Sequence, residues 1–258
     1  MNDTPHIARK RFGQNFLHER GIIERILRAI DPQPGERIIE IGPGQGALTW
    51  PLLDRIKTLT AIEIDRDLIP RLRAEAPKHG ELTIVEADVL TVDFTALAAG
   101  STIRLVGNLP YNISSPILFH ALDHAAVIRD MHFMLQKEVV ERMAAGHGNK
   151  VYGRLSVMLQ AYCRVEPLFV VPPGAFTPAP KVDSAIVRLT PKAAAEIPPH
   201  DRARLELLVR HGFSQRRKTL RNALDGVATN EQMAAAGIDP GARAEAVAVA
   251  DWLRLAAT

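Results

Sequence analysis

The sequence predicts a doubly wound α/β domain followed by a smaller, all-helical domain. Short apolar segments alternate with segments whose apolar residues recur every three or four positions, a pattern typical of buried parallel strands and the helices that cover them. Several of the apolar segments end directly at a glycine or a polar residue. Beyond Pro199 the pattern is alanine-rich and helical, without strand signals. We therefore predict an α/β domain over residues 1–190, including an N-terminal lid segment, and a helical domain over residues 191–258.

Composition agrees with this size and excludes several classes of protein. A chain of 258 residues with 47% hydrophobic residues is long enough for a large α/β domain and a small appendage. No segment approaches the roughly 20 apolar residues that span a bilayer, and no signal-peptide core is present. We expect a cytoplasmic protein without membrane contact. The single cysteine, Cys163, excludes an intrachain disulfide, and no spacing of Cys and His suggests a metal site.

The N-terminal segment permits two interpretations. A basic cluster precedes residues 11–17, which contain two aromatic and two amide side chains but show no clear period. Such a segment can close over a pocket as a lid, or it can be a tail that its phenylalanines hold against the core. Residues 21–31 then show helical spacing, and the prolines and glycine of residues 31–35 end the helix.

A glycine loop follows the first predicted strand. The strand covers residues 37–41, the loop is Gly42-Pro43-Gly44-Gln45-Gly46, and residues 47–49 begin a helix. Glycines let the backbone turn sharply and approach a ligand beside the positive helix N-terminus. The spacing is Gly-x-Gly-x-Gly rather than the Gly-x-Gly-x-x-Gly of dinucleotide sites, so a pyrophosphate is not implied.

The next two strands supply acids for a nucleoside. Glu63 lies near the end of the strand over residues 59–65, 21 positions beyond Gly42, where an acid can accept both ribose hydroxyls. Asp88 follows the strand over residues 82–86 and can bind an adenine amino group, while Ile64 and Val89 sandwich the ring. Each acid alone can instead be a helix cap or a surface charge. Their repetition at successive strand ends favours a nucleoside cofactor in one crevice.

The fourth strand, residues 103–106, ends at Gly107 and delivers Asn108, Leu109, Pro110 and Tyr111. The Asn108 oxygen and the carbonyl of Leu109 or Pro110 can accept the two N–H bonds of an adenine amine, which turns its lone pair out of the base plane. Tyr111 can stack on the base, a contact worth ~1–3 kcal/mol. In isolation, the same residues also fit a strand-end turn in which Asn caps a helix and Tyr packs in the core.

The remaining elements complete the α/β domain. A loop over residues 172–183 is stiffened by prolines, and its Phe176 can clamp a base against Tyr111 or anchor the loop in the core. Residues 191–199 have the composition of a linker. The predicted helices cover residues 114–125, 137–145 and 152–162, and the predicted strands cover residues 131–135, 169–171 and 184–189.

Two basic clusters point to a polyanionic partner. The segment from Leu207 to Leu224 contains five cationic residues and no acid, and we predict an amphipathic helix over its part from Gln215 to Leu224. The second cluster is Arg9-Lys10-Arg11. Solvated surface charge is the alternative for either cluster taken alone. The five cations are Arg210, Arg216, Arg217, Lys218 and Arg221.

Together these residues resemble the bacterial 16S ribosomal RNA adenine dimethyltransferases, the KsgA or RsmA family. The resemblance covers residues 11–17, 40–49, 61–65, 107–116, 171–189 and 213–224. It implies a Rossmann-like, S-adenosylmethionine-dependent methyltransferase. It further implies that the cofactor is bound at the positions of Asn15, Leu17, Gly42, Glu63, Asp88 and Asn108. The implied substrate is a pair of adjacent adenosines in a hairpin near the 3′ end of 16S ribosomal RNA, each methylated twice on N6.

The expected site therefore has three parts, with no metal. The catalytic group is Asn108, Leu109, Pro110, Tyr111 and Phe176. The cofactor group is Asn15, Leu17, Gly42, Gly44, Glu63, Ile64, Asp88, Val89 and Asn108. The RNA-binding group is Lys10, Arg11, Arg216, Arg217, Lys218 and Arg221.

Three other functions remain open from the sequence. A resistance-type methyltransferase of large-subunit RNA shares the core chemistry, and a non-catalytic ribosome assembly factor shares the RNA-binding features. A DNA adenine methyltransferase is disfavoured, because Leu109 stands where those enzymes usually carry proline. Since no apolar stripe is unexplained, we expect a monomer.

Overall fold

A computed structural model describes residues 15–258, which form two compact units. The first contains residues 15–137 together with Glu166–Thr190, and the second contains Glu138–Val165 together with Pro191–Thr258. One of the breaks between the two units falls between Thr190 and Pro191. Residues 138–165 were predicted in the α/β domain but group with the helical unit, where the Tyr152 hydroxyl donates a hydrogen bond of 2.9 Å to the carbonyl of Val247.

The described residues contain nine strands and eleven helices, besides short 3₁₀ turns. The strands are β1 (Phe16–Leu17), β2 (Ile38–Ile41), β3 (Thr58–Glu63), β4 (Glu81–Glu86), β5 (Ile103–Asn108), β6 (Ile128–Gln136), β7 (Cys163–Val171), β8 (Phe176–Thr177) and β9 (Ser184–Pro191). The helices are α1 (Arg20–Ile30), α2 (Thr49–Ile56), α3 (Ile69–Glu75), α4 (Phe94–Ala98), α5 (Ser114–Asp123), α6 (Lys137–Ala144), α7 (Arg154–Tyr162), α8 (Arg202–Ser214), α9 (Leu220–Ala223), α10 (Asn230–Ala235) and α11 (Val249–Ala256). Within residues 15–258, no helix combines the length and the apolar character that a membrane span needs.

Seven strands form the central sheet in the order β4-β3-β2-β5-β6-β9-β7. Neighbours from β4 to β6 are parallel, as predicted. The buried residues of these strands are mostly apolar, because helices accompany the strands along the chain. Strand β9 instead runs antiparallel to β6, with Ser184 opposite Gln136 and Leu189 opposite Met131. The loop before β9 places Ser184, the first residue of β9, beside Gln136, the last residue of β6. Strand β9 therefore runs in the direction opposite to that of β6. The parallel arrangement predicted from the first four long strands is confirmed, and β9 adds an antiparallel strand to the same sheet.

A glycine at position 107 lets β5 lie close to β2. A Cβ atom there would lie 2.5 Å from the carbonyl oxygen of Ile41, a distance that real Cβ atoms do not show. Because Gly107 immediately precedes Asn108, any larger residue would displace the strand end that carries the predicted catalytic group. The glycine thus fixes the position of Asn108 relative to the loop that follows β2.

A buried arginine near the amino end of β5 joins the central sheet to α1. Arg104 is 5% exposed and contacts Asp130 at 2.9 Å, Glu36 at 2.6 Å and the carbonyl of Ile30 at 2.6 Å. Burial alone would raise the pKa of Glu36, but hydrogen bonds from the Gln33 main chain and from Arg104 lower it. Removing one member of such a buried network leaves the others uncompensated, which typically costs about 3–5 kcal/mol.

The helical unit departs from the prediction at its basic segment. Helix α8 ends at Ser214, residues 215–219 form a turn and a bend without helix, and only Leu220–Ala223 is helical, so the predicted helix from Gln215 to Leu224 is wrong. The Arg216 guanidinium donates hydrogen bonds to the carbonyls of Lys150 (2.6 Å) and Tyr152 (3.1 Å). These long-range contacts stabilise a turn at Arg216 in place of the helix that the local spacing of residues favours.

Candidate active site

A cavity of about 230 Å³ lies at the carboxyl ends of β2, β3, β4 and β5. This volume is several times the ~30 Å³ share of one water molecule, so the cavity can hold a ligand. All nine residues of the predicted cofactor group line it, together with Leu109, Pro110 and Tyr111. Its further lining residues are Phe16, Glu40, Ile41, Pro43, Gln45, Ala47, Leu48, Ile62, Ala87, Asn112, Ile113 and Ile117.

The glycine loop forms one wall of the cavity and is attached to Glu63. Gly42, Gly44 and Gly46 have φ angles of 68°, 57° and 88°, in the left-handed region that favours glycine. The main-chain N–H of Gly44 donates to Glu63 Oε2 at 3.3 Å, and the N–H of Asp65 donates to Oε1 at 2.8 Å. Burial raises the pKa of Glu63. The carboxylate is therefore held by main-chain donors at the position predicted to bind a ribose.

The predicted adenine pocket combines one acid with two apolar side chains. Ile64 is 47% exposed, unusually high for a large apolar residue, and it lines the cavity with the buried Val89. Asp88 uses Oδ1 to accept the main-chain N–H of Leu90 at 3.0 Å, as a cap for the turn that follows. Asp88 therefore also acts as a cap, which was the alternative interpretation. The same residue caps the turn and lines the cavity.

Sequence reasoning missed Glu40 as a cavity residue. Glu40 is 2% exposed, and its Oε2 accepts a hydrogen bond of 2.7 Å from the hydroxyl of Thr49, which begins α2. Burial raises the pKa of Glu40 to about 7. The signal was an acid inside the otherwise apolar strand β2, immediately before the glycine loop. Its bond to Thr49 connects the two elements that flank that loop.

The segment after β5 holds Asn108 by its nitrogen. Asn108 Nδ2 donates a hydrogen bond of 3.0 Å to the main-chain carbonyl of Asn15. The carbonyl of Pro110 accepts a hydrogen bond of 3.2 Å from the N–H of Ile113. The N–H of Leu109 donates to the carbonyl of Met134 at 3.1 Å, which attaches Leu109 to β6. Of the two carbonyls that the sequence left open as acceptors, that of Leu109 accepts no recorded hydrogen bond among residues 15–258, and the geometry favours it.

Tyr111 reaches the cavity and is tied to the sheet. Its hydroxyl lies 2.6 Å from Ser184 Oγ, a hydrogen bond in which either group can donate. Burial raises the pKa of Tyr111. Because Ser184 lies 73 positions further along the chain, sequence spacing gives no indication of this contact.

Phe176 does not lie where the sequence predicted. The residue is 3% exposed, belongs to the core cluster and does not line the cavity. Its strand β8 pairs with β1, placing Leu17 opposite Phe176 and Phe16 opposite Thr177. The slot predicted between Tyr111 and Phe176 is therefore absent, and the alternative, an anchor for the loop, describes Phe176. The pairing also fixes Phe16 and Leu17, which line the cavity as well, so these two residues fit both the tail and the lid interpretation. Residues 11–14 of that segment lie outside the described residues.

The predicted RNA-binding residues divide into three groups. Lys10 and Arg11 lie outside the described residues. Arg217, Lys218 and Arg221 are exposed on the helical unit and have no recorded ion pair or side-chain hydrogen bond among residues 15–258. Arg216 differs, because its guanidinium is already bound to two main-chain carbonyls.

The sheet, the glycine loop and the acids at successive strand ends define a Rossmann-like methyltransferase of the S-adenosylmethionine-dependent class. The chain belongs to the family of ribosomal RNA adenine dimethylases, whose model, "Ribosomal RNA adenine dimethylase", matches residues 6–258. Both the predicted fold class and the predicted family are confirmed.

Individual relatives agree with this assignment. The chain is 64% identical over 249 residues to "Ribosomal RNA small subunit methyltransferase A" of Xanthomonas campestris pv. campestris (strain B100), covering 96% of this chain and 95% of that protein. The protein of the same name from Xanthomonas oryzae pv. oryzae (strain PXO99A) is equally similar, at 64% identity with the same coverage.

Among solved structures, a dimethyladenosine transferase from Plasmodium falciparum matches with a TM-score of 0.79 and 27% identity, over 93% of this chain and 95% of that one. The 23S rRNA methyltransferase ErmE matches with a TM-score of 0.71 and 31% identity, over 93% and 98%. The fold is therefore similar to that of a dimethyladenosine transferase and to that of a 23S rRNA methyltransferase.

Proposed function

We propose that this protein transfers methyl groups from S-adenosylmethionine to N6 of two adjacent adenosines in a hairpin near the 3′ end of 16S ribosomal RNA, giving dimethyladenosines during small-subunit biogenesis. The observation that carries the proposal is the position of Asn108 and Tyr111 in the same cavity as Glu63 and the glycine loop. The small-subunit substrate is supported by the names of relatives 64% identical over 96% of the chain.

The cavity residues fit a nucleoside cofactor. Ile64 offers exposed apolar surface for an adenine ring, and Asp88 lies on the same wall for its amino group. Glu63 presents a carboxylate for ribose hydroxyls, and at Gly42 and Gly44 the loop has no side chain, so its main chain can lie close to a ligand. When bound, S-adenosylmethionine supplies an electrophilic methyl group that needs no further activation, so the protein contributes chiefly position and polarisation.

The residues after β5 prepare the adenine amine as a nucleophile. Asn108 Oδ1 and the carbonyl of Leu109 accept its two N–H bonds, which directs the nitrogen lone pair out of the base plane. An asparagine cannot remove a proton near neutral pH. The amine therefore loses its proton only after methylation has made the nitrogen cationic and acidic.

Tyr111 holds the face of the target base. An adenine inside a folded RNA is stacked, so it must be flipped out before its amine reaches Asn108. Stacking on the Tyr111 ring offsets part of that cost, at ~1–3 kcal/mol per base. Because Phe176 is buried, Tyr111 provides this contact without the second ring that the sequence predicted.

The remaining parts of the proposal concern partners and location. The exposed Arg217, Lys218 and Arg221 bind RNA phosphates, and Lys10 and Arg11 form a second contact. A ribosomal subunit or its precursor as substrate places the protein in the cytoplasm. We propose a monomer without membrane contact. In support, the described residues include only four exposed large apolar side chains, and no two of them are adjacent in sequence: Ile64, Val151, Val170 and Val182.

The test is methyl transfer from radiolabelled S-adenosylmethionine to small subunits that lack the modification, with large subunits and naked 16S RNA as controls. We expect incorporation approaching four methyl groups per small subunit, recovered as dimethyladenosine. Incorporation only into large subunits would transfer the assignment to a resistance-type enzyme. Tight binding of small subunits without incorporation would identify an assembly factor without catalytic function.

A further inference from the structure

Ser184, which the sequence did not single out, is fully buried beside the cavity. It is the first residue of β9 and has 0% exposure. Its Oγ lies 2.6 Å from the Tyr111 hydroxyl, which is the hydrogen-bond partner that the structure gives it among residues 15–258. A buried hydroxyl without a partner is costly, so this pairing stabilises the arrangement of both side chains.

The bond acts at the far end of the Tyr111 ring. Pro110 restricts the backbone before Tyr111, but the ring still has two side-chain torsions to set. Fixing the hydroxyl to a residue within the central sheet restricts both torsions together. Strand β9 is a rigid support, because Ser184 pairs with Gln136 of β6 and the carbonyl of the adjacent Asp183 accepts the N–H of Lys137 at 2.9 Å.

We propose that Ser184 is a positioning residue that holds the Tyr111 ring in the orientation that stacks on the target adenine. The inference rests on the proposed function, because it assumes that Tyr111 contacts the base. Fixing the ring before the substrate binds avoids its immobilisation during binding, which favours productive placement of the amine. A second ring is not needed for this purpose, in keeping with the burial of Phe176.

Three variants of the full chain test the role: Ser184→Ala, Tyr111→Phe and the double variant. Tyr111→Phe keeps the ring but removes the same hydrogen bond from the other side. At saturating cofactor and excess enzyme, we expect each single variant to lower the single-turnover rate on small subunits about tenfold, roughly the value of one hydrogen bond. The double variant is then no slower than the slower single variant, because both remove one shared interaction. The affinity for S-adenosylmethionine stays unchanged.

Ser114→Ala is the matched control. The buried Ser114 hydroxyl also binds Tyr111, but at its main-chain carbonyl (3.2 Å) rather than at the ring. We expect this variant to keep the single-turnover rate within about twofold, even where its melting temperature falls as far as that of Ser184→Ala. A loss of rate equal to that of Ser184→Ala would overturn the inference, since it would show a general structural effect.

The remaining outcomes also decide between the two proposals. A wild-type rate for Tyr111→Phe would overturn the role of Ser184, and this variant decides the matter if Ser184→Ala does not fold. Multiplicative losses in the double variant would do the same. If the wild-type protein transfers no methyl groups to small subunits, the proposed function fails and this inference fails with it.

Discussion

Asn108 donates a hydrogen bond of 3.0 Å from Nδ2 to the main-chain carbonyl of Asn15, across 93 positions of sequence. An amide whose nitrogen is bound to a carbonyl cannot turn over without bringing two oxygens together. Under the proposed function, the bond leaves Oδ1 as the atom that accepts an N–H of the target amine. Since Phe16 and Leu17 pair with β8, the acceptor atom that orients Asn108 is attached to the core.

Glu63→Gln is expected to weaken cofactor binding about tenfold to a hundredfold. Glu63 already accepts N–H groups from Gly44 and Asp65, and a glutamine would turn an NH₂ group toward donors or toward the ribose. Loss of a charge-assisted hydrogen bond costs about 1.5–3 kcal/mol. Isothermal titration calorimetry with S-adenosylmethionine measures this effect.

The control for Glu63 is Glu86→Gln. Glu86 lies opposite Glu63 in the pairing of β3 with β4 but is exposed, pairs with Arg66 and does not line the cavity. We expect its affinity within about twofold of the wild-type value, as for a surface ion pair of little energy. Equal affinities for the two variants would remove Glu63 from the cofactor group.

Glu40 gives the stability of the protein a characteristic pH dependence. Its pKa is raised by burial from 4.5 to about 7, so between these values the folded state retains a proton that the unfolded state releases. The free energy of unfolding contributed by Glu40 is therefore fully present below pH 4.5 and lost as the pH rises through 7. At about 1.4 kcal/mol per pKa unit, the loss is roughly 2–4 kcal/mol.

Urea denaturation of the wild-type protein and of Glu40→Gln at pH 5 and pH 8 isolates this effect. Other titrating groups, including Glu36 with its lowered pKa, are present in both proteins, so the difference reports the titration of Glu40 together with its charge repulsion with Glu63. We expect the wild-type protein to lose stability relative to the variant on going from pH 5 to pH 8. A difference independent of pH would show that Glu40 titrates normally.

The exposed cations Arg217, Lys218 and Arg221 are expected to control the salt dependence of RNA binding. Replacing Arg217, Lys218 and Arg221 with glutamine removes up to three phosphate contacts, each worth about 0.7–0.9 in the slope of log K against log salt. The control replaces Arg28, Arg71 and Arg73, exposed cations on the first unit, and removes the same charge. Filter binding over a range of salt concentrations gives the slopes, and equal slopes for the two triple variants would place the RNA elsewhere.

The sequence was sufficient for the parts of the fold in which local pattern and chain order agree. Glu63, Asp88 and Asn108 follow successive apolar strands, and parallel strands bring their carboxyl ends to one edge. Long-range contacts account for the differences. Phe176 is buried where the two-residue strand β8 pairs with the two-residue strand β1. Neither strand is long enough to produce a periodic pattern in the sequence.

The basic segment shows the same limit in the helical unit. Residues 215–224 have good helical spacing, but Arg216 binds carbonyls some 65 positions earlier in the chain, which no local pattern reveals. Similarly, Ser184 and the carbonyl of Asn15 contact Tyr111 and Asn108 only in the folded chain. Local sequence pattern therefore identified residues that line the cavity, but not the partners that orient Tyr111 and Asn108.

The central claim, that Asn108 polarises the target amine, is tested most directly by the single-turnover rate of Asn108→Ala on small subunits, with Asn230→Ala, an exposed asparagine of α10, as control. The account predicts a loss on the order of 10²-fold or more, by analogy with removal of a preorganised group from other active sites, while cofactor binding is partly retained. A near-normal rate for Asn108→Ala, equal to that of Asn230→Ala, would contradict the account.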